Sequence, residues 1–301
     1  MLALPEPPGG LWLPLVTPFR DGELDIASLH RLIRYYASQP VDGFILAATT
    51  GEGLTLDEDE VHRLVTEASQ ALRDSGASRP LYLGLSGSDT RRMVAALARS
   101  AAWPVDGYLI SSPYYSRPSQ RGLLQHFEAL ADATARPILL YNIPARTGIN
   151  LDTATILRLA ERGNIVGIKD CAATTLESVE LLHHRPHGFA VLTGEDALFY
   201  GALIRGSDGG VLASAHIQTG DFAALRGIIQ SGDALRANMH WRELADIAPL
   251  LFAEPSPAPL KHWLWRCGLI DSPEVRLPMM PIDDALAVAI ERRIARSTAE
   301  V

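Results

Sequence analysis

The sequence predicts a (β/α)8 TIM barrel with a C-terminal helical extension, and three observations carry that prediction. Short apolar runs alternate with longer amphipathic ones along most of the chain. Eight such units follow one another at a spacing of about 25–30 residues. The short runs are apolar throughout rather than alternating, as expected of parallel strands covered on both faces. A doubly wound parallel sheet shares the alternation but rarely extends to eight regular units.

Taken in order, the strands are expected at Leu11–Val16, Gly43–Ala48, Leu81–Leu85, Gly107–Ile110, Ile138–Tyr141, Ile165–Lys169, Ala190–Leu192 and Gly209–Leu212. Asp25 can cap a helix running through Tyr36, with Leu29, Leu32, Ile33 and Tyr36 on one face. Asp57 opens a second, with Val61, Leu64, Val65, Ala68 and Leu72 together. Asp89, Ser119, Asp152, Thr174, Asp196 and Thr219 mark the starts of six more. The eighth helix should end near Gly232. Helical stretches follow at Ala234–Leu251, Ala258–Cys267 and Asp283–Arg296, with Pro255, Pro257 and Pro259 breaking the first from the second. Residues 1–232 therefore read as the barrel and 233–301 as its extension, not as a second independent domain.

Composition narrows the class. Hydrophobic residues make up 47% and charged residues 21%, which suits a soluble globular chain rather than a disordered one. A net charge of -8 repels phosphate backbones, so no nucleic-acid partner is expected. Met1–Gly10 has neither the basic nor the apolar segment of a signal peptide, and no run is long enough to span a membrane. Cys171 and Cys267 form neither a disulfide framework nor a zinc motif. These features fit a cytoplasmic enzyme. The glycines near 206–210 do not make a dinucleotide fingerprint, and His183, His184 and His187 fall in a helix-to-loop segment, so neither a cofactor nor a metal is expected.

Of the 27 basic residues only two are lysines, Lys169 and Lys261. A guanidinium stays protonated and cannot serve as an amine nucleophile, so a lysine in an apolar setting invites a chemical explanation. Lys169 ends the run Ile165-Val166-Gly167-Ile168, at the C-terminal end of a strand, where barrels of this kind carry their active sites. Burial there should lower its pKa and yield the neutral amine that attacks carbonyls. Tyr141 ends the neighbouring strand and can serve as an acid–base group. Thr49 and Thr50, ahead of Gly51, suit a small carboxylate. Arg146, between Pro144 and Gly148, can clamp a second one. Tyr114 and Tyr115 lie in a proline-flanked loop of the sort found at interfaces. Each feature alone has an ordinary structural reading: a strand-end lysine at the surface, a core tyrosine, a βα turn, a solvated arginine, a packed loop.

In combination they resemble the dihydrodipicolinate synthase/N-acetylneuraminate lyase family. The likeness extends from Pro14-Leu15-Val16-Thr17-Pro18-Phe19 to beyond Gly210. It is carried by Thr49-Thr50-Gly51-Glu52, Pro113-Tyr114-Tyr115-Ser116-Arg117-Pro118, Tyr141-Asn142-Ile143-Pro144-Ala145-Arg146-Thr147-Gly148 and Gly167-Ile168-Lys169-Asp170. The resemblance implies a class I lyase in which Lys169 forms a Schiff base with pyruvate. It implies a proton relay of Tyr141, Thr50 and Tyr115, with Tyr115 donated by a second subunit of a homodimer or homotetramer. Thr49 and Thr50 would hold the pyruvate carboxylate, Gly194 and Val211 would shape the substrate site, and Arg146 would hold an aldehyde's carboxylate. Arg146 favours L-aspartate semialdehyde as that aldehyde, and no cofactor is implied. Ala48, Cys171 and the pair Glu195-Asp196 depart from the family's usual residues. Two other readings fit the same residues: a 2-keto-3-deoxy sugar acid aldolase on this scaffold, and a barrel that binds 2-oxo acids without turnover.

Overall fold

The structure is a computed structural model that describes residues 7–172 and 176–299. Among the described residues eight parallel strands close a barrel. They are β1 (Gly10–Pro14), β2 (Gly43–Leu46), β3 (Leu81–Leu85), β4 (Gly107–Ser111), β5 (Ile138–Asn142), β6 (Ile165–Asp170), β7 (Ala190–Thr193) and β8 (Gly209–Val211). Each pairs with its successor, and β8 closes on β1 through Gly10↔Gly209, Leu11↔Gly210 and Trp12↔Val211. The expected fold class is the observed one.

Alternation along the strands creates two apolar layers. Trp12, Ile45, Tyr82, Leu109, Leu139 and Leu192 fill the barrel interior. Leu13, Phe44, Leu83, Ile110, Leu140 and Ile168 point outward into the layer shared with the helices. Trp12 needs its neighbour to be a glycine: a Cβ on Gly43 would lie 2.5 Å from the indole ring. A repeated local device aligns the strand starts. Asp42, Asp106 and Asp208 each stand immediately before a strand glycine, and each carboxylate accepts a backbone N–H from a neighbouring strand. The donors are Leu11 at 2.7 Å, Leu81 at 2.8 Å and Val191 at 2.8 Å.

The helix starts follow the capping residues. Asp25, Asp57, Asp89, Ser119 and Asp152 each accept a backbone N–H from the first turn, and Asp57 with Glu60 forms a full capping box. Asp196 begins a single 3-10 turn ahead of the helix Phe199–Ile204, and Thr219 is the first helical residue rather than the cap. Thr174 lies outside the described residues. Strand β1 ends at Pro14, although Leu15 and Val16 remain buried. Strand β2 ends at Leu46 because Ala47 turns into the left-handed region at φ 52. A small antiparallel ribbon, Phe19–Arg20 with Glu23–Leu24, was not expected from the sequence.

Beyond residue 233 the expected long helix divides into Ala234–Leu244 and Ile247–Leu251, followed by Ala258–Arg266 and Asp284–Ala299. Trp241 in the first of these meets Tyr200 and Phe222 on the barrel's outer helices. Ile247–Leu251 rests on the turns Asp196–Leu198 and Ser214–His216, which places it at the C-terminal mouth of the strands. Among the described residues no helix is long and apolar enough to cross a membrane.

Burial of His216 makes stability depend on pH. The His216 ring packs edge-on against Tyr36 at 5.1 Å, and its Nδ1 meets the Ala213 carbonyl at 2.8 Å. Burial pushes its pKa down to about 4. An unfolded histidine titrates near about 6.5, so the unfolded chain takes up the proton first as pH falls. The stability that neutral His216 contributes is therefore intact above about pH 6.5 and lost on the way down to about pH 4, by on the order of 3 kcal/mol. Denaturant melts across that window should show the loss, and His216→Phe should make the slope shallower.

Candidate active site

Strand β6 is buried along its whole length and ends in Lys169-Asp170. Adjacent residues face opposite sides of the sheet, so the two part company. Asp170 turns away from the barrel axis and is satisfied there by Asn142 Nδ2 at 3.1 Å, Ser178 Oγ at 2.6 Å and the Ala172 N–H at 3.0 Å. This network pins the end of the strand. Lys169 turns inward and is 5% exposed.

The register pairs Lys169 with Tyr141 on β5. The Lys169 ammonium sits 4.3 Å from the centre of the Tyr141 ring, and the Tyr141 hydroxyl lies 3.5 Å from Thr49 Oγ1. Thr49 and Thr50 belong to the turn after β2, which Thr17 fastens by donating from its hydroxyl to the Gly51 carbonyl at 2.7 Å. Gly194 follows β7. A Cβ there would lie within 2.5 Å of Lys169 Cε and closer still to Cys171 Sγ, so only glycine lets the lysine stem pass.

These side chains surround a cavity of about 340 Å³ at the mouth of the barrel. Lys169, Tyr141, Thr49, Thr50, Arg146, Gly194 and Val211 all line it. Arg146 stands on the rim in the one-turn helix Pro144–Thr147, whose carboxyl end is closed by Gly148 in the left-handed region. Tyr115 is not among the lining residues. It is 93% exposed and held at φ 68 in the loop after β4, projecting away from its own chain.

Sequence reasoning missed part of the wall. Glu195 and Asp196 line the cavity, whereas the sequence offers them only as departures from the family's usual residues and, for Asp196, as a helix start. Asp196 accepts the Ser214 N–H at 2.5 Å. Ala248, Pro249 and Phe252 close another side, and they come from the C-terminal extension. Nothing in their local pattern distinguishes them from ordinary helix residues. Cys171, which departs from the family's usual residue, also lines the cavity, and burial pushes its thiol pKa up.

The electrostatics correct one expectation. Burial pushes the Lys169 pKa down, as anticipated, but Tyr141, Cys171 and Asp196 push it up, and the balance lies above the ordinary value. The resting lysine is thus an ammonium. Burial likewise raises the Tyr141 pKa, against the opposing pull of Lys169, so the phenol keeps its proton at neutral pH. Burial raises Glu195 and Asp196 as well, Glu195 further through Asp196. Two carboxyl groups, a phenol and an amine therefore share one small apolar-walled cavity.

The family model for the dihydrodipicolinate synthetase family matches residues 7–296. The chain belongs to that family. Among curated relatives, 4-hydroxy-tetrahydrodipicolinate synthase 2 of Clostridium acetobutylicum is 41% identical over 277 residues, covering 92% of this chain and 96% of that one. Among solved structures, the dihydrodipicolinate synthase of Aquifex aeolicus superposes with a TM-score of 0.91 at 28% identity, over 96% of this chain and 98% of that one. The chloride-inhibited enzyme of Acinetobacter baumannii, complexed with pyruvate, superposes with a TM-score of 0.89 at 30% identity over 95% and 98%. Membership of the dihydrodipicolinate synthetase family agrees with the resemblance seen in the motifs.

Proposed function

We propose that the chain is a pyruvate-dependent Schiff-base lyase that condenses pyruvate with L-aspartate semialdehyde, as a 4-hydroxy-tetrahydrodipicolinate synthase. The observation that carries this reading is the Lys169 ammonium, buried over the Tyr141 ring in a cavity that opens at the strand ends. Pyruvate docks with its carboxylate on Thr49 and Thr50. A proton leaves Lys169, and the amine attacks the ketone carbon. Tyr141 returns a proton to the oxygen, water departs, and a protonated imine remains. Loss of a methyl proton pushes electrons into the imine and leaves an enamine. The enamine carbon attacks the aldehyde carbon, and the aldehyde oxygen takes up a proton. The amino group of the bound semialdehyde then displaces Lys169 from the imine carbon, closing a ring and freeing the enzyme. One water is released per pair of substrates.

Arg146 is the residue assigned to the carboxylate of the aldehyde, and its place on the rim supports that assignment. Arg146→Ala should raise the KM for L-aspartate semialdehyde about tenfold to a hundredfold while leaving pyruvate imine formation unchanged. Steady-state kinetics beside borohydride trapping checks both halves. The exposure and backbone conformation of Tyr115 support its donation to a neighbouring copy, which makes the working enzyme a homodimer or homotetramer. Residues 233–301 act on this reading as an extension that completes the cavity of a barrel built from residues 1–232, in a soluble cytoplasmic enzyme. The direct test is pyruvate consumption with and without L-aspartate semialdehyde, using Lys169→Ala as control. Consumption that needs both Lys169 and the semialdehyde supports the proposal. Consumption of neither compound by a protein that still traps pyruvate at Lys169 would move the substrate to a 2-keto-3-deoxy sugar acid.

A further inference from the structure

The second lysine of the chain takes no part in this chemistry, yet it is the more deeply buried. Lys261 lies in the helix Ala258–Arg266 and is 0% exposed. Its ammonium pairs with the buried carboxylate of Glu52, donates to the Glu274 carbonyl at 2.7 Å, and sits 4.2 Å from the centre of the Phe19 ring. The other oxygen of Glu52 accepts the backbone N–H of Arg276 at 3.0 Å. The Arg276 guanidinium covers Phe19 at 4.3 Å and bonds Glu60. One carboxylate of the barrel is thus gripped at two points by the C-terminal extension.

The location of that carboxylate matters. Glu52 comes two residues after Thr50, and its backbone is left-handed at φ 52 and ψ 34. Its N–H donates to the Thr49 carbonyl at 3.1 Å, and the Gly53 N–H donates to the Ala48 carbonyl at 3.2 Å. The turn that presents Thr49 and Thr50 to the cavity therefore ends on Glu52. A non-glycine residue persists in this conformation only where its surroundings hold it. A fully buried ion pair is a poor source of stability compared with apolar residues of the same volume, whereas it fixes two segments in one geometry. The residue chosen is telling as well. Arginine supplies 25 of the 27 basic residues, yet lysine stands here. A compact ammonium with three donors can serve Glu52, Glu274 and the Phe19 ring in three directions, and a planar guanidinium cannot.

We propose that Lys261 is a positioning residue: through Glu52 it sets the Thr49–Thr50 turn in the orientation that receives the pyruvate carboxylate. The C-terminal extension then governs pyruvate affinity from outside the cavity, since neither Lys261 nor Glu52 lines it. This inference rests on the imine chemistry proposed for Lys169.

The test uses full-length protein carrying Lys261→Met, Glu52→Gln, or both. Borohydride trapping measures the pyruvate concentration that gives half-maximal labelling of Lys169, and thermal melts report folding. Each single variant should raise that concentration about tenfold while full labelling is still reached at saturating pyruvate, and should leave the KM for L-aspartate semialdehyde within about twofold. The double variant should be no worse than the single ones, because the two residues act as one unit. Should Lys261→Met fail to fold, the double variant leaves no unpaired buried charge and answers the same question. Folded variants that melt lower but trap pyruvate at wild-type concentrations would overturn the proposal and leave Lys261 a structural residue. A wild-type protein that traps no pyruvate would instead sink the reading of Lys169 on which the proposal depends.

Discussion

Lys169→Ala protein consumes no pyruvate in the presence of L-aspartate semialdehyde and gains no borohydride-stable adduct. The expected loss of turnover is on the order of 10⁴-fold or more, because Lys169 is the amine proposed to open the reaction and no other lysine lines the cavity. The effect should be chemical rather than structural. No ion pair forms with the Lys169 ammonium among the described residues, so the strand end loses a desolvated charge when the side chain is removed. Asp170 keeps its own bonds to Asn142, Ser178 and the Ala172 N–H, and these hold the end of β6. Circular dichroism and melting should therefore show a folded variant beside an inactive one. Retention of more than a small fraction of turnover would mean that the carbonyl is activated some other way.

Tyr141→Phe should lower kcat by about 10²- to 10³-fold with a much smaller change in the KM for pyruvate. The ring that carries the ammonium survives this substitution, so Lys169 keeps its position over it. What disappears is the hydroxyl near Thr49, the group proposed to carry protons between the lysine, the carbinolamine oxygen and the threonine turn. The pKa shifts say when this matters. Both Lys169 and Tyr141 are held above their ordinary values and stay protonated at neutral pH, so forming the free amine requires a proton to be moved away. Imine formation should speed up as pH rises above neutrality in both proteins, and Tyr141→Phe should be slower at every pH. Single-turnover trapping at a series of pH values measures this. Equal rates for wild type and Tyr141→Phe would remove Tyr141 from the relay.

Much of the fold could be read because it depends on local chemistry. Apolar runs place the strands, and Asp25, Asp57, Asp89, Ser119 and Asp152 place the helix starts through bonds made within one turn. The misplaced boundaries lie where local chemistry is silent. Leu15 and Val16 are as buried outside β1 as they would be inside it. Alanine gives no warning that Ala47 will adopt a positive φ. The site divides the same way. A lysine at the end of an apolar run and a tyrosine at the end of the next strand over announce themselves, since the barrel brings strand ends together. The wall made by Ala248, Pro249 and Phe252 depends on how the extension folds back, and no short-range signal encodes that. The sign of the Lys169 shift is hidden from the sequence for a related reason. Burial could be inferred from the strand, but the approach of Tyr141, Cys171 and Asp196 required the folded chain.

The chain has only two lysines, so the Schiff-base assignment can be tested directly. Judged by acidity alone Lys261 would be the better nucleophile, since burial brings its pKa down to about 8 against the opposing influence of Glu52, while Lys169 lies above its ordinary value. Judged by geometry only Lys169 can meet a substrate, because Lys261 is sealed between Glu52, Glu274 and Phe19. The decisive measurement is peptide mapping by mass spectrometry after the protein is incubated with pyruvate and reduced with borohydride. One reduced pyruvate adduct per chain is expected, on the peptide carrying Lys169, with the Lys261 peptide unmodified. An adduct on Lys261, or none on either lysine, would contradict it.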